Sequence, residues 1–367
     1  MDLALSQDEE QLAAAVRSFI AREAGTDVLV QEQRTEPGHR PAWSAAMADA
    51  GWSGILIPED DGGAGAPALQ AAVVADELGK GPLPGPFLAS SAVAALLIAA
   101  TDPGTVRGEV LAGIADGTRT VVPALVPAGT TWAGLTRAGE FAEATEQGIS
   151  GEFPFVPYAG SATDLLVPVR GDDTGVEFAL VPADGAGVAT RVLDGFLAHN
   201  HEVLLNGAQA TATFTADRAA VAGALARSYA IAAAYSVGGC QVLLDRSVEY
   251  SRTREQFGGP IGRFQRVQDH IVELINALDA ARWMLYEALW QLDSGQDAFA
   301  GAHRAKAVAA EAYITCADAA HKVHGGIGVD PDFGITLYTQ QSRSLYGYLG
   351  DPRWHKRQMV DALGWTA

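Results

Sequence analysis

Residues 249–270 read EYSRTREQFGGPIGRFQRVQDH, and the fold is decided by how this stretch is read. A helical run ends near Arg254, an aromatic follows at Phe257, Gly-Gly-Pro-Ile-Gly turns the chain, and a second helix opens at about Phe264. The clustered glycines and Pro260 interrupt any continuous helix. Arginine offers a planar fork of donors suited to phosphate oxygens, Phe257 a flat apolar surface, and the glycines a backbone that a ligand can approach closely. Taken alone, the same residues also read as a plain helical hairpin with solvated arginines.

Working outward from this turn, Val267, Ile271, Leu274, Leu278, Leu285 and Leu289 recur at spacings of three, four and seven, the pattern of a long amphipathic helix. Helical texture covers the chain from about 219 to the end. Upstream, short β-branched and apolar runs bounded by Gly, Pro and Asp stand at 119–126, 163–170, 176–183 and 202–214, which predicts a β-domain. Further upstream the texture is helical again. Ser6 and Glu9 form a capping box ahead of Leu12, Val16, Phe19 and Ile20, and GWSGILIPEDDGGAG (51–65) is a turn between two helical runs. The expected fold is α+β: an N-terminal all-α domain over 1–118, a middle β-domain over 119–218 and a C-terminal helical bundle over 219–367.

A chain of 367 residues that is 48% hydrophobic and 19% charged is long and apolar enough for two or three packed domains. Its net charge of −19 opposes a nucleic-acid partner, which needs clustered cations to displace counterions. The only cysteines, Cys240 and Cys316, lie in Ala-rich stretches. They are expected as small core residues rather than as a disulfide, thiolate site or nucleophile, and a reducing cytoplasmic setting follows. The N-terminus has no basic and apolar leader, and the longest apolar run (88–100) is too short to cross a bilayer, so no membrane is expected. His199, His201 and Glu202, or His321 and His324, are the imidazole and carboxylate groupings available to a metal. The first stands in a turn and the second lacks a third ligand, so no metal site is expected. HGGIGV (324–329) follows a helix rather than a strand, which removes the dinucleotide-loop context and leaves Gly325 as a helix-closing glycine.

RTREQFGGPIGRFQ resembles the RxxFGxxIxxFQ signature of the acyl-CoA dehydrogenase family. GWSGILIPEDDGGAG resembles that family's N-terminal helical-domain motif, and AHKVHGGIGVD (320–330) its QxxGGxG motif in the C-terminal four-helix domain. The resemblance covers the whole chain and implies an oxidoreductase that removes the α-proton of an acyl-CoA with a Glu while the β-hydrogen leaves as hydride to FAD. It implies that Arg254 meets the FAD diphosphate of a neighbouring chain, with Gln256 and Phe257 beside it, Ile261, Phe264 and Val267 lining the adenine, and Gly325 and Gly326 in the glycine motif. The family's Gln is Lys322 here.

The other half of the family's site departs from its pattern. LVPAGTTWAG (125–134) stands where the family reads LTEPxxGSD, and GEFPFVPYAG (151–160) where it reads GxKxWITN. The two places where the family carries its catalytic Glu hold Leu349, in YLGDPRWHK, and Ser228. The expectation is therefore no catalytic residue in this chain. It resembles the non-catalytic subunit of actinobacterial α2β2 (steroid-type) acyl-CoA dehydrogenases, its partner a homologous subunit carrying the Glu and electron-transfer flavoprotein the acceptor. Two alternatives stay open: a self-sufficient homo-oligomer using Asp351, and a flavin-free structural homologue. Asp351 also reads as the residue opening the turn before the final helix.

Overall fold

The computed structural model describes residues 4–35, 37–128, 141–172, 174–193 and 199–365. Helices come first: α1 (Gln7–Glu23), α2 (Thr26–Glu32), α3 (Pro41–Asp49), α4 (Ala68–Lys80), α5 (Phe87–Ala89), α6 (Ala95–Ala99) and α7 (Thr105–Ala115), with a π-turn over Ser90–Ala94 between α5 and α6. Eight strands follow: β1 (Val121–Pro123), β2 (Glu143–Thr145), β3 (Gly148–Pro157), β4 (Asp164–Gly171), β5 (Gly175–Pro182), β6 (Val188–Val192), β7 (Asn200–Ala208) and β8 (Ala212–Asp217). The chain then runs through α8 (Arg218–Thr253), the two-residue strands β9 (Glu255–Gln256) and β10 (Gly259–Pro260), α9 (Gln265–Asp293), α10 (Phe299–His324), α11 (Ile335–Gly347) and α12 (Pro352–Ala362). This is the expected order of helical, β and helical segments.

Two compact units emerge. One comprises 1–34, 68–84 and 229–367, the other 35–67 and 85–228. In the second, a sheet ordered β1-β4-β5-β8, with β1 and β4 parallel, and an antiparallel sheet ordered β2-β3-β7-β6 share one core. Phe153, Leu165, Val167, Ala179, Val181, Val203 and Leu205 fill it. Two features differ from the sequence reading. The run 202–214 is two strands, β7 and β8, separated by a short link, and β3 crosses a segment holding Pro154 and Pro157. Proline removes a ladder donor and is tolerated where pairing is already interrupted. The β3–β7 register slips between Phe153 and Val156, which accommodates Pro154.

In the first unit, α10 packs on α9, α11 and α12, and α1 on α4. The Ser6 capping box forms, with the Ser6 N–H donating to Glu9 Oε2 at 2.7 Å. α9 starts one residue after Phe264, its N-cap, and buries Leu274, Leu278, Leu285 and Leu289. α8 and α4 meet backbone to backbone. A Cβ on Gly238 would stand 1.9 Å from the Asp76 carbonyl oxygen, and one on Gly79 would stand 2.0 Å from that of Tyr235. α8 is also long and apolar enough to cross a membrane by length and composition, but 78% of its most apolar window is buried inside the protein.

Candidate functional site

The C-terminal ends of α8 and α10 converge. Tyr250 stacks on His324 with ring centroids 4.6 Å apart, and Phe333 meets both rings at 6.1 and 5.3 Å. The Arg246 guanidinium lies over the Phe333 ring and donates to its carbonyl. Together with Asp245, Glu249 and Thr253 these side chains line a cavity of about 400 Å³. The motif beginning at Arg254 leaves from one side of the cavity and the glycine motif beginning at Gly325 from the other. Of the cavity residues, the sequence reading names His324, as a metal candidate, and quotes Glu249, Tyr250 and Thr253 within the 249–270 stretch, but none as lining a site. Arg246 and Tyr250 stand eight and four residues before Arg254, the spacing of one helix face, and that was the available signal.

Around Arg254 the chain closes a tight hairpin. Its N–H donates to the Tyr250 carbonyl and its own carbonyl accepts from the Ile261 N–H, each at 2.9 Å. The guanidinium is exposed and has no partner among the described residues. Phe257, at φ 51, stands at the hairpin tip, 86% exposed, edge-on to Phe264 at 6.0 Å. Arg263 lies over Phe264 and donates to the Phe257 carbonyl. Gln256 is exposed, its amide donating to the adjacent Glu255 carbonyl. Ile261, Phe264 and Val267 are half-buried on the turn into α9. These six residues are brought together. Lys322, Gly325 and Gly326 form a second group at the end of α10, where Lys322 lies 3.8 Å from Glu273 of α9.

The glycines separate a folding role from a ligand role. Gly325 caps α10 at φ 60, where L side chains are strained, so the helix end alone accounts for it. Gly326 has no such backbone demand, and a Cβ there would meet nothing within 4 Å. Among the described residues nothing requires glycine at 326. An open backbone beside an uncommitted guanidinium suits a diphosphate, which needs cationic donors and close backbone approach. On this side the residues fit the phosphate end of a flavin nucleotide.

The places of acid–base chemistry look different. Leu349 is buried at φ 62 in the turn before α12. The fully buried Ser228 hydroxyl lies within donating distance of the Ala92 carbonyl at 2.7 Å and the Ala224 carbonyl at 3.0 Å. Its one proton is committed to main chain. Asp351 Oδ1 accepts from the Trp354 N–H at 2.8 Å, so this carboxylate caps α12 as the turn reading expects. Positions 129–134 of the 125–134 motif lie outside the described residues. In 151–160, Phe155 is 67% exposed and Tyr158 is buried at φ 58, its phenol pushed up to about 12 by burial.

The histidine groupings do not converge among the described residues. The His201 ring contacts the His199 carbonyl, Glu202 pairs with Arg191, His321 bonds Thr339, and His324 Nδ1 contacts the Ala320 carbonyl. Cys240 and Cys316 are fully buried; burial and the neighbouring Cys316 raise the Cys240 thiol well above its ordinary value.

Comparison with known proteins adds three kinds of likeness. The family models described as acyl-CoA dehydrogenase, N-terminal domain, and acyl-CoA dehydrogenase, C-terminal domain, match residues 6–118 and 208–364. The acyl-CoA dehydrogenase IpdE2 of Mycolicibacterium smegmatis is 26% identical over 361 residues, 97% of this chain and 98% of that protein. Among solved structures, the Tcur3481–Tcur3483 steroid ACAD variant superposes with a TM-score of 0.86 at 26% identity, over 98% of both chains. The ChsE4–ChsE5 complex of Mycobacterium tuberculosis reaches 0.89 at 24% identity over the full length of both.

Proposed function

The chain belongs to the acyl-CoA dehydrogenase family, and from that premise we propose that it is the subunit of a two-gene, α2β2 enzyme that lends its partner half of an FAD site and carries no α-proton base. Members of the family bind FAD, which when bound accepts hydride from the substrate. Here Arg254, Gly326 and Lys322 would hold the diphosphate, and the hairpin from Gln256 to Val267 would flank the adenosine of the flavin that serves the partner's active site. The observation that carries this reading is an asymmetry. On the diphosphate side Arg254 and Gly326 are exposed and uncommitted among the described residues, whereas Leu349, Ser228 and Asp351 offer no free base: the first cannot take a proton, the second has committed its own, and the third caps a helix.

The bundle over 219–367 is the assembly face in this reading, with 1–118 and 119–218 as separate domains. α9 exposes Val272, Ile275, Trp283 and Trp290 at helical spacing, an apolar stripe of the kind that subunit contacts cover. Likeness to a steroid ACAD complex supports a steroid-derived or other bulky acyl-CoA as substrate; electron-transfer flavoprotein as acceptor and a cytoplasmic setting complete the proposal. The deciding experiment is flavin absorbance of the chain purified alone and after co-expression with its neighbouring homologue. A band only on co-expression is expected; a full band on the chain alone would make it self-sufficient, and none in either case would make it a flavin-free homologue.

A further inference from the structure

A second polar cluster lies in the same unit as the hairpin, buried where the family reading finds no chemistry. His303 of α10 and His355 of α12 are both fully buried, with their Nδ1 atoms 2.7 Å apart. Two such nitrogens bond only if one carries a proton and the other a lone pair, so at most one of the two rings can be an imidazolium, and burial favours the pair with both rings neutral. The Nε2 atoms of both rings are buried without a hydrogen-bond partner among the described residues. His355 Nε2 also stands 3.2 Å from where a Cβ on Gly350 would be, which places it against the turn that carries Leu349.

We infer that the His303–His355 pair is an acid-released latch that fastens the Leu349–Asp351 turn and the start of α12 onto α10. The surrounding groups explain why protonation opens it. From α8 comes the Tyr229 ring, 4.9 and 4.8 Å from the two imidazoles; from α12, Trp354; from α10, Phe299 and Lys306. Lys306 is fully buried, donates to the Leu345 carbonyl of α11 at 3.0 Å, and is pushed down to about 7 by burial against the pull of Asp351. The carboxylate that acts on Lys306, Asp351, is engaged at the α12 N-terminus. An added proton therefore creates a buried imidazolium beside an amine that is itself a cation below pH 7. Burial holds His303 down to about 3. Burial, then Lys306 and His303, holds His355 well below the ordinary range, against a weaker upward pull from the Leu349 and Gly350 backbone.

In the open segment both imidazoles take protons near pH 6.5, whereas in the closed one they do so only at much lower pH. The latch is thus fully effective above about 6.5 and weakens as pH falls below it, the opening equilibrium rising by up to about tenfold per pH unit for each proton taken up.

The test is hydrogen–deuterium exchange of the full chain, read by mass spectrometry at both the histidine ring C2–H and the backbone. Between pH 7 and 5, after correction for intrinsic exchange, peptides from 348–362 should lose protection at least tenfold while those of β4 and β5 stay constant. The rings of His303 and His355 should titrate well below 6. The variant His355→Gln, which keeps a hydrogen-bonding group but cannot titrate, should flatten the pH dependence. Ring midpoints near 6.5, or protection of 348–362 that does not change between pH 7 and 5, would overturn the latch. The ring titration of the unaltered protein decides the matter if the variant fails to fold.

Discussion

Gly326 and Arg254 make no demand on their own chain among the described residues, and each gives a separable expectation. A Cβ on Gly326 meets no atom within 4 Å, so Gly326→Ala should change the unfolding midpoint by no more than the ordinary surface substitution, about 0.5 kcal/mol. The same methyl stands where a diphosphate would approach, so flavin release from the assembled complex, followed by fluorescence, should quicken. An unchanged release rate would return Gly326 to a purely structural role. Arg254→Ala removes charge-assisted hydrogen bonds of about 2 kcal/mol and should weaken flavin retention by more than tenfold. Full flavin content in a correctly assembled Arg254→Ala complex would remove Arg254 from the site. Phe257→Ala should cost less, since that exposed ring, edge-on to Phe264, supplies surface rather than charge.

At the scale of elements, two helices make the chief demands. The close approach of α4 and α8 leaves no room for a side chain at Gly238, whose Cβ would overlap a backbone carbonyl. Gly238→Ala should therefore destabilise by about 2–3 kcal/mol in denaturant unfolding. This contrasts with Gly326→Ala, although both are single added methyls. Signals confined to one turn or one helix were legible in the sequence. The Ser6 capping box, the α9 stripe, the Gly325 cap and the Asp351 turn are all read from residues within a few positions of each other. What escaped depends on register or on distance along the chain. The 151–160 segment is missing from the predicted strands, and the slip in the β3–β7 ladder that absorbs Pro154 is invisible in β3 alone. The His303–His355 pair joins residues 52 apart and the Tyr250–His324 stack joins residues 74 apart, and no local period announces either. Motif resemblance supplied the Arg254 and Gly326 positions, while the cavity between them came only with the fold.

For the whole molecule, the exposed stripe of α9 and the vacant acid–base positions bear on one question, which chain carries the chemistry. If the stripe is an assembly face, Trp283→Glu together with Trp290→Glu should leave the fold intact and shift sedimentation of the co-expressed complex toward smaller species, because a charge buried without a partner opposes association. The base assignment goes further. Asp351→Asn keeps an N-cap acceptor of nearly equal quality, so helix α12 should hold and any loss of turnover would report chemistry rather than folding. Ser228→Ala removes one buried donor at a cost of about 1 kcal/mol in stability and likewise removes no base. In a complex whose base is on the partner, both variants should retain most of their turnover, whereas changing the partner's Glu to Gln should cost several orders of magnitude, since the α-proton then has no acceptor. Titrating the flavin gives the independent arm: one FAD per pair of unlike chains. A fall of about 10³ in turnover from Asp351→Asn, with flavin content and assembly intact, would move the base onto this chain and make it self-sufficient. Two FAD per pair with Asp351→Asn still active would instead mean that its own flavin-edge segments hold a second cofactor that does no chemistry.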